Sequence, residues 1–425
     1  MNALPKVKQQ YETLPYPPRN PEDERKRLIQ TEYDSLDQIA HYCFQGEFRF
    51  DKHFRCLVAG GGTGDAAIFL AEQLKNCGGQ VTYLDMSQAS LNIARRRAEI
   101  RGLSNIHWIQ SSLLDLPKLN IGKFDYINCS GVLHHLSSPE EGLSALNSVL
   151  NDSGGMGLML YAKYGRQEVY DMQSLLREII PQNYDISKQV VIARKLIENL
   201  PNSNNFKQRL GKWAGELNPK CYGDSGLYDL LLHTQDRCYT VDQLYQLVES
   251  SDLYFTNFVG RTKSLYEMEH LSLAPEIENL IGQLNTREKY IIGEKFHGNI
   301  RKHMFFISRM ENAEASITDR STVMIFSGEL AGLESEFYQQ LVPGERLTIE
   351  YSVGSRTEAF NLDCNPVNKA IVGQIDGETS QKKIIENVIK IIPNINRDMV
   401  IAEIDKLFKL LHVKNWMHLS KPRIH

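Results

Sequence analysis

The sequence predicts an α/β protein in which a parallel sheet is covered by helices on both faces. Short apolar runs alternate with helical patterns between 54 and 161, at a spacing typical of parallel strands joined by helices. One of these runs, 54–59, leads directly into a glycine-rich turn at 60–64. Because glycine has no side chain, such a turn lets the backbone approach a ligand at the carboxyl edge of the sheet.

Composition, charge and cysteine spacing indicate where the protein is located and which kinds of partner it binds. Of the 425 residues, 42% are hydrophobic and 24% are charged, which allows more than one domain core. The net charge of −4 disfavours a nucleic-acid-binding surface. The seven cysteines form no Cys-x-x-Cys pair, so we expect reduced thiols and no metal site. The absence of an export signal or a long apolar run predicts a cytoplasmic protein without a membrane span.

Residues 1–50 are predicted to form an arm and a helix that cover a pocket. Prolines at 15, 17 and 18 favour extended backbone, and Tyr11 and Tyr16 lie beside them. Two interpretations stay open: a disordered leader, or an arm that folds back and presents both tyrosines, which are costly to leave in water. Apolar residues near helical spacing predict a helix over 22–42.

The sheet pattern occupies 51–165 and is completed at 237–310. The predicted strands are 54–59, 81–84, 106–109, 124–129, 156–161, 254–259 and 303–308. The predicted helices between them are 65–76, 88–101, 140–150, 240–250 and about 274–295. Thr240 followed by Gln243 is typical of a helix capping box.

Two other regions depart from this pattern. Residues 166–236 contain amphipathic helices at 169–180 and 190–200, each ended by a proline, which predicts a helical insertion near the pocket mouth. Residues 311–425 are predicted to form a small α+β, winged-helix-like domain. Its strand signals lie at 322–326, 346–351 and 359–362, and its helices extend to about 411.

The spacing of the glycines and the residues C-terminal to them indicate which ligand the turn binds. Gly60, Gly62 and Gly64 are spaced more tightly than the glycines of dinucleotide sites. About twenty residues later, Asp85 ends the second strand, where a carboxylate can bind both hydroxyls of a ribose. The alternative role of Asp85, capping the following helix, suits Ser87 better.

Two further segments complete the pattern. Residues 110–117 come after the third strand, and residues 128–136, with His134 and His135, come after the fourth. In this order and at these distances, the four segments resemble the class I S-adenosylmethionine-dependent methyltransferases. The matching segments run from about 54 to 161, and the last two strands extend the resemblance to about 309.

The resemblance implies a Rossmann-like seven-stranded methyltransferase sheet, a methyltransferase activity and S-adenosylmethionine as cofactor. Its glycines would approach the methionyl end of the cofactor, and Asp85 would bind the ribose with Met86 against the adenine. Together with Tyr11 of the arm, the cofactor-binding residues that we expect are Gly60, Gly62, Thr63, Gly64, Asp85, Met86, Ser111, Ser112, Leu113, Cys129, Ser130, Gly131 and His135.

One position departs from the family pattern. Family members usually carry an acidic residue where Ser112 stands, to accept from the adenine amino group. A hydroxyl accepts a hydrogen bond more weakly than a carboxylate. Asp115 either substitutes for the missing acid or caps a turn.

The chemistry limits what the catalytic residues must do. A sulfonium is already a strong methyl donor, so the protein mainly has to align the nucleophile and exclude water. A general base is needed only if the nucleophile holds a proton. The candidate catalytic residues are His134, Tyr16 and Tyr164; alternatively, the two histidines shape the turn and touch the cofactor. Tyr161 and Arg166 also lie at or beyond the end of the fifth strand and can reach the acceptor.

The acceptor is the least determined part. We expect an amine or hydroxyl, on a protein or peptide side chain or otherwise on a small metabolite. No Asn-Pro-Pro-Tyr stands after the fourth strand, which disfavours planar amides and nucleobase amines. The layout is also similar to bacterial methyltransferases with an appended regulatory domain, some of which act on protein lysines.

The C-terminal domain has two interpretations, and two other classes of function are considered for the whole protein. Residues 375–379 resemble part of the small peptide-binding winged-helix modules; the alternative is a structural domain, for example one for homodimerisation. A nicotinamide-dependent oxidoreductase is disfavoured by the glycine spacing and the paired histidines. A non-catalytic, cofactor-sensing binding protein is a third possibility.

Overall fold

A seven-stranded sheet forms the centre of this computed structural model, which describes residues 5–422 except 48, 182, 269, 270, 272, 354 and 355. Its strands are β1 (Arg55–Ala59), β2 (Gln80–Asp85), β3 (Ile106–Gln110), β4 (Phe124–Ser130), β5 (Leu150–Tyr161), β6 (Tyr254–Phe258) and β7 (Lys302–Ser308). They lie in the order β3-β2-β1-β4-β5-β7-β6.

Strands β1 to β5 pair parallel, as the alternation between 54 and 161 predicts, whereas β7 runs antiparallel to both β5 and β6. Tyr161 at the end of β5 pairs with Lys302 at the start of β7. The chain therefore enters β7 at the edge where the parallel strands end, so Arg301 and Lys302 reach the ligand edge of the sheet.

Helices cover the sheet and form the insertion. They are α1 (Pro5–Thr13), α2 (Leu36–Cys43), α3 (Asp65–Leu74), α4 (Gln88–Ile100), α5 (Pro139–Ser148), α6 (Gln167–Ile179), α7 (Ile186–Glu198), α8 (Asn205–Gln208), α9 (Ala214–Leu217), α10 (Gly223–Leu227), α11 (Val241–Glu249), α12 (Pro275–Gly282) and α13 (Thr286–His297). The capping box predicted at Thr240 and Gln243 is present at the start of α11.

The predicted helix over 22–42 is mostly absent. Only a 3₁₀ turn at Pro21–Arg25 and α2 are helical. Between them, the buried carboxylate of Asp34 accepts hydrogen bonds from Tyr126 Oη at 2.9 Å, Asn128 Nδ2 at 2.7 Å and Thr31 Oγ1 at 2.5 Å. A buried carboxylate needs donors, and those donors hold this segment against the sheet in a non-helical path.

Apolar side chains fill both faces of the sheet. One cluster packs α2, α3 and α4 against β1 and β2, and another packs α5, α11 and α13 against the opposite face. A third cluster, including Val169, Phe206 and Trp213, lies within the insertion. The insertion therefore has its own core beside the sheet.

The C-terminal region is an α+β unit. It contains β8 (Val323–Phe326), β9 (Arg346–Val353), β10 (Arg356–Asp363) and β11 (Met417–Ser420), with α14 (Glu334–Gln340), α15 (Pro366–Val372), α16 (Gln381–Ile391) and α17 (Arg397–His412). Strand β11 pairs antiparallel with β8, and β9 with β10. The unit contacts the sheet domain through α2, where Leu419 N donates to His41 Nδ1 at 3.0 Å.

Within the described residues, no helix is both long and apolar enough to cross a membrane.

Candidate active site

A cavity of about 600 Å³ lies at the carboxyl edge of the sheet. Its floor is formed by the ends of β1, β2, β4 and β5, and its cover by the N-terminal arm, residues 5–20, and the insertion. Parallel strands present their carboxyl ends at one edge, which is where α/β sheets bind their ligands.

The glycine turn needs its glycines for two reasons. Gly60 and Gly62 line the cavity with positive φ values of 75° and 50°. A Cβ on Gly62 would also lie 2.7 Å from the carbonyl oxygen of Tyr16, and one on Gly60 would lie 2.3 Å from Val132 Cγ2. The turn is therefore held between the arm and the end of β4 with no room for side chains.

Asp85 lies at the end of β2, beside the turn. Its two oxygens accept from Gly62 N and Ser87 N, both at 2.8 Å. Burial raises the pKa of Asp85, and these backbone N–H groups oppose the rise. Each carboxylate oxygen can accept more than one hydrogen bond, so Asp85 keeps capacity for a ligand hydroxyl.

The predicted adenine edge also borders the cavity. Met86, Ser111, Ser112 and Leu113 all line it. The Ser112 hydroxyl accepts from Leu114 N, and Asp115 accepts from Ser111 Oγ at 3.1 Å. Asp115 does not line the cavity, so its position favours the turn role over substitution for the missing acid.

Several predicted residues lie outside the cavity lining. Thr63 is fully buried and donates through Oγ1 to the carbonyl of Pro17 at 2.6 Å. Gly64, with φ of 103°, packs against Ala94 of α4 instead. Cys129 belongs to the apolar core, where burial raises its pKa to about 12, while its neighbours Ser130 and Gly131 line the cavity.

The N-terminal arm covers the turn, but not as fully extended chain, because Tyr11 lies in α1. The Glu12 carboxylate accepts from Gln88 N at 2.7 Å and Ala89 N at 3.0 Å. These contacts satisfy free N–H groups at the start of α4. Both Tyr11 and Tyr16 line the cavity, so the arm contributes to the site.

The insertion side of the cavity centres on Asp229. This residue lies in a short π-helical segment of the insertion and is 4% exposed. Its carboxylate accepts from Tyr11 Oη at 3.1 Å and Tyr161 Oη at 3.2 Å. Burial raises the pKa of Asp229, and the tyrosine hydrogen bonds oppose the rise. No sequence motif marks Asp229, and only the folding of the insertion brings it to the sheet.

The two predicted histidines have different positions. His135 lines the cavity, and its Nδ1 donates to the carbonyl of Gln235 at 2.9 Å. His134 is fully buried, does not line the cavity and stacks on Tyr161 at 3.9 Å. Burial holds the pKa of His134 well below its usual value, and His135 lowers it further. Tyr164 is half-buried and also outside the cavity lining.

His135, Asp229 and His233 lie close enough together to be considered as metal ligands. The hydrogen bonds of His233 disfavour this, because its Nδ1 accepts from Gln235 N at 3.1 Å. A neutral His233 then carries its proton on Nε2, the nitrogen that lies 3.4 Å from Tyr11 Oη. In this tautomer Nε2 has no lone pair for a metal, and the lone pair of Nδ1 is taken by Gln235 N.

Comparison with known proteins identifies the domain. A family model described as a methyltransferase domain matches residues 57–156, which include the glycine turn, Asp85 and the ends of β3 and β4. The chain carries a class I S-adenosylmethionine-dependent methyltransferase domain. The prediction of this family from the sequence is confirmed, and the cofactor of the domain is S-adenosylmethionine.

The methyltransferase domain has curated relatives. An uncharacterized protein of Synechococcus sp. is 32% identical over 260 residues, covering 60% of this chain and 60% of that protein. A ubiquinone biosynthesis O-methyltransferase of Acinetobacter baylyi is 30% identical over 85 residues, covering 20% of this chain and 36% of that protein. The chain thus spans less than two thirds of the length of either relative.

A solved structure shares the fold over most of this chain. The structure of PKMT2 from Rickettsia typhi in complex with AdoHcy matches with a TM-score of 0.60 at 17% identity, covering 88% of this chain and 72% of that one. The predicted Rossmann-like seven-stranded sheet is confirmed.

The cavity of the methyltransferase domain fits its cofactor. Gly60 and Gly62 leave open backbone beside Asp85, and Ser130 and Gly131 also line the floor. A Cβ on Gly60 or Gly62 would collide with Val132 or Tyr16, so only glycine keeps the backbone of the turn in this position beside the cavity.

Proposed function

We propose that this protein transfers a methyl group from S-adenosylmethionine to an amine or hydroxyl of an acceptor bound between the arm and the insertion. The observation that carries the proposal is Asp229, held by the hydroxyls of Tyr11 and Tyr161 in the same cavity as the glycine turn. A buried carboxylate with two hydroxyl donors is a suitable partner for a nucleophile that must lose a proton.

The cofactor, when bound, supplies an electrophilic methyl group on its sulfonium. Gly60, Gly62, Asp85, Met86 and Ser111 hold it in our proposal, with the other lining residues predicted from the sequence. The arm and insertion exclude water from the reacting atoms, since their side chains cover the floor of the cavity.

We assign the proton transfer to Tyr161 and Asp229. Each tyrosine hydroxyl donates to Asp229, so the oxygen of Tyr161 keeps lone pairs for an acceptor N–H or O–H. When the nucleophile takes the methyl group and the methyl–sulfur bond breaks, with its electron pair left on sulfur, the proton of the nucleophile would pass to Tyr161 Oη and the tyrosine proton to Asp229. Burial raises the pKa of Asp229, which favours proton uptake by this carboxylate, while the Tyr11 hydrogen bond, the Arg166 charge and the Tyr161 hydrogen bond oppose the rise.

This arrangement changes the catalytic roles that we expected. Asp229 and Tyr161 replace His134 and Tyr164, neither of which lines the cavity. Tyr16 keeps a role beside the acceptor, because it lines the cavity and its ring lies 5.7 Å from that of Tyr222 in the insertion.

The acceptor is either a small molecule or a protein or peptide side chain. Full-length protein is incubated with S-adenosylmethionine carrying a tritiated methyl group and with cell lysate, and the lysate is then separated by size. Label in small molecules supports a metabolite acceptor, and label in polypeptide supports a side chain. Cofactor binding without any transferred label would contradict the enzyme and favour a cofactor-sensing protein.

A separate experiment tests whether the protein binds the cofactor product. Titration calorimetry with S-adenosylhomocysteine should show binding at micromolar to millimolar concentration, typical of an enzyme product. If no heat appears at millimolar ligand, the methyltransferase activity is contradicted before any acceptor is considered.

A further inference from the structure

One wall of the cavity carries two arginines that the proposed proton transfer does not use. Arg166 lies beyond the end of β5, and Arg301 precedes β7. Both line the cavity, as does the ring of Trp213 from the insertion. The Arg166 guanidinium lies 5.3 Å from the Trp213 ring centroid, and the Arg301 guanidinium lies 5.1 Å from it. Together these three residues form the arginine wall.

Arg166 is buried, and its guanidinium is incompletely hydrogen-bonded. It is 4% exposed, and among the described residues its Nε and Nη2 have no hydrogen-bond partner. The nearest carboxylate oxygen, on Asp236, is 4.0 Å from Nη2, beyond hydrogen-bond distance. The ring of Tyr161 lies 3.6 Å from the guanidinium and supplies a cation–π contact instead. Asp236 and Asp229 stabilise the guanidinium charge at longer range, but the two nitrogens without a hydrogen-bond partner stay available to a ligand, because buried polar groups are normally hydrogen-bonded.

The other two residues of the arginine wall also have donor groups without a carboxylate partner. Arg301 donates to the carbonyl of Lys212 at 2.5 Å and, within the described part of the chain, forms no ion pair with a carboxylate. Trp213 is 1% exposed, and its Nε1 donor also lacks a partner among described residues. Glu216 and Asp229 are carboxylates of the same cavity lining, and Asp229 is already occupied by two tyrosines.

We propose that the methyl acceptor carries a carboxylate or phosphate group that binds to Arg166 and Arg301 across Trp213. A guanidinium presents parallel N–H donors that match the oxygens of either anion. The acceptor then has its nucleophile at Asp229 and its anion at the arginine wall. This inference rests on the proposed function and names the acceptor class of that same cavity.

The test uses simple anions as probes. Full-length protein saturated with S-adenosylhomocysteine is titrated by calorimetry with benzoate, phenyl phosphate and the neutral benzamide. We expect benzoate or phenyl phosphate to bind at least tenfold more tightly than benzamide, and the tighter of the two identifies the anion. Equal or weaker binding of both anions would overturn the inference.

Variants assign the binding to the arginine wall. Arg166→Gln should weaken binding of the preferred anion at least tenfold, and the half-buried Arg301→Gln about threefold, with S-adenosylhomocysteine affinity unchanged in both. Arg194→Gln is the matched control, because Arg194 pairs with Asp224 on the outside of the same insertion. Circular dichroism checks folding; if Arg166→Gln fails to fold, Arg301→Gln alone decides the outcome.

Two results distinguish this inference from the proposed function. If the wild-type protein does not bind S-adenosylhomocysteine, the proposed function and the inference fall together. If the cofactor product binds but Arg166→Gln loses affinity for it tenfold, the guanidinium serves the methionyl carboxylate, and the acceptor assignment alone is overturned.

Discussion

The two sides of the cavity are built in different ways. On the cofactor side, Gly60, Gly62 and Asp85 each lie at or directly beyond the end of a strand of one sheet. On the acceptor side, Tyr11 and Asp229 meet although 218 residues separate them in the chain. A site made from strand ends is determined by local sequence, whereas one made from an arm and an insertion depends on how distant segments pack.

The carboxylates show the same difference. Asp85 accepts from two backbone N–H groups, whose positions are set by the turn and the start of α4. Asp229 accepts from two side-chain hydroxyls, which can also exchange protons. We therefore expect Asp85 to bind and Asp229 to act in the chemistry.

The largest effect should come from Asp229→Asn. The amide cannot accept from both tyrosines or take up a proton, so kcat should fall about 100-fold, typical for loss of a general base. Cofactor affinity should not change. Steady-state kinetics with the acceptor found in lysate and calorimetry with S-adenosylhomocysteine measure the two quantities.

The control is Asp224→Asn, on the same insertion but 59% exposed at its side chain. It should leave kcat unaltered. An Asp229→Asn protein that is folded and fully active would show that Asp229 only supports the structure.

Gly62→Ala should damage the cofactor side. The new Cβ would meet the Tyr16 carbonyl at 2.7 Å in a backbone of positive φ, and we expect S-adenosylhomocysteine affinity to fall about 30-fold. Gly102→Ala is the matched control, because Gly102 has a φ of 67° but no atom within 4 Å of the added Cβ. Equal losses of affinity in both variants would contradict a steric role for Gly62.

Lowering the pH should reduce the free energy of unfolding of the protein through His135, which lines the cavity. Burial lowers the pKa of His135 to about 4, below the value near 6.5 expected in the unfolded chain. Between these values the unfolded state binds more protons, so stability is highest above pH 6.5 and falls as pH drops towards 4. From pH 7 to pH 5, His135 should cost about 2 kcal/mol of unfolding free energy.

His135→Asn removes this titration and keeps a side-chain N–H for the carbonyl of Gln235. Urea unfolding at pH 7, 6 and 5 should therefore show a weaker pH dependence in the variant than in the wild type. An identical pH dependence would mean that His135 is protonated in the folded protein as readily as in the unfolded chain.

The smallest effect should come from Asp85→Asn. One oxygen remains to accept hydrogen bonds, so we expect S-adenosylhomocysteine to bind about tenfold more weakly, equivalent to ~1.4 kcal/mol. Asp115→Asn serves as the comparison, because Asp115 bonds to Ser111 and does not line the cavity. If Asp115→Asn weakens binding as much, Asp115 does replace the acid missing at position 112.

The errors in the sequence-based predictions have physical causes. Residues 22–42 have helical spacing, but the donors that surround Asp34 hold most of that segment out of a helix. The side chain of Thr63 points to the arm, away from the cavity. The side chain of Cys129 lies in the core, so the backbone contact expected of Cys129 stays a prediction. Strand alternation and turn geometry decide such details one residue at a time.

The sequence by itself determined the cofactor half of this protein. Apolar strand runs, a glycine turn and a carboxylate at the next strand end are local patterns, and each constrains backbone within a few residues. Tertiary structure decided how the acceptor half is assembled, although the sequence indicated Tyr16, Tyr161 and Arg166 as residues near it. Asp229 and Trp213 carry no motif, and their chemistry, like that of the incompletely hydrogen-bonded Arg166, arises from burial beside residues that are distant in the chain.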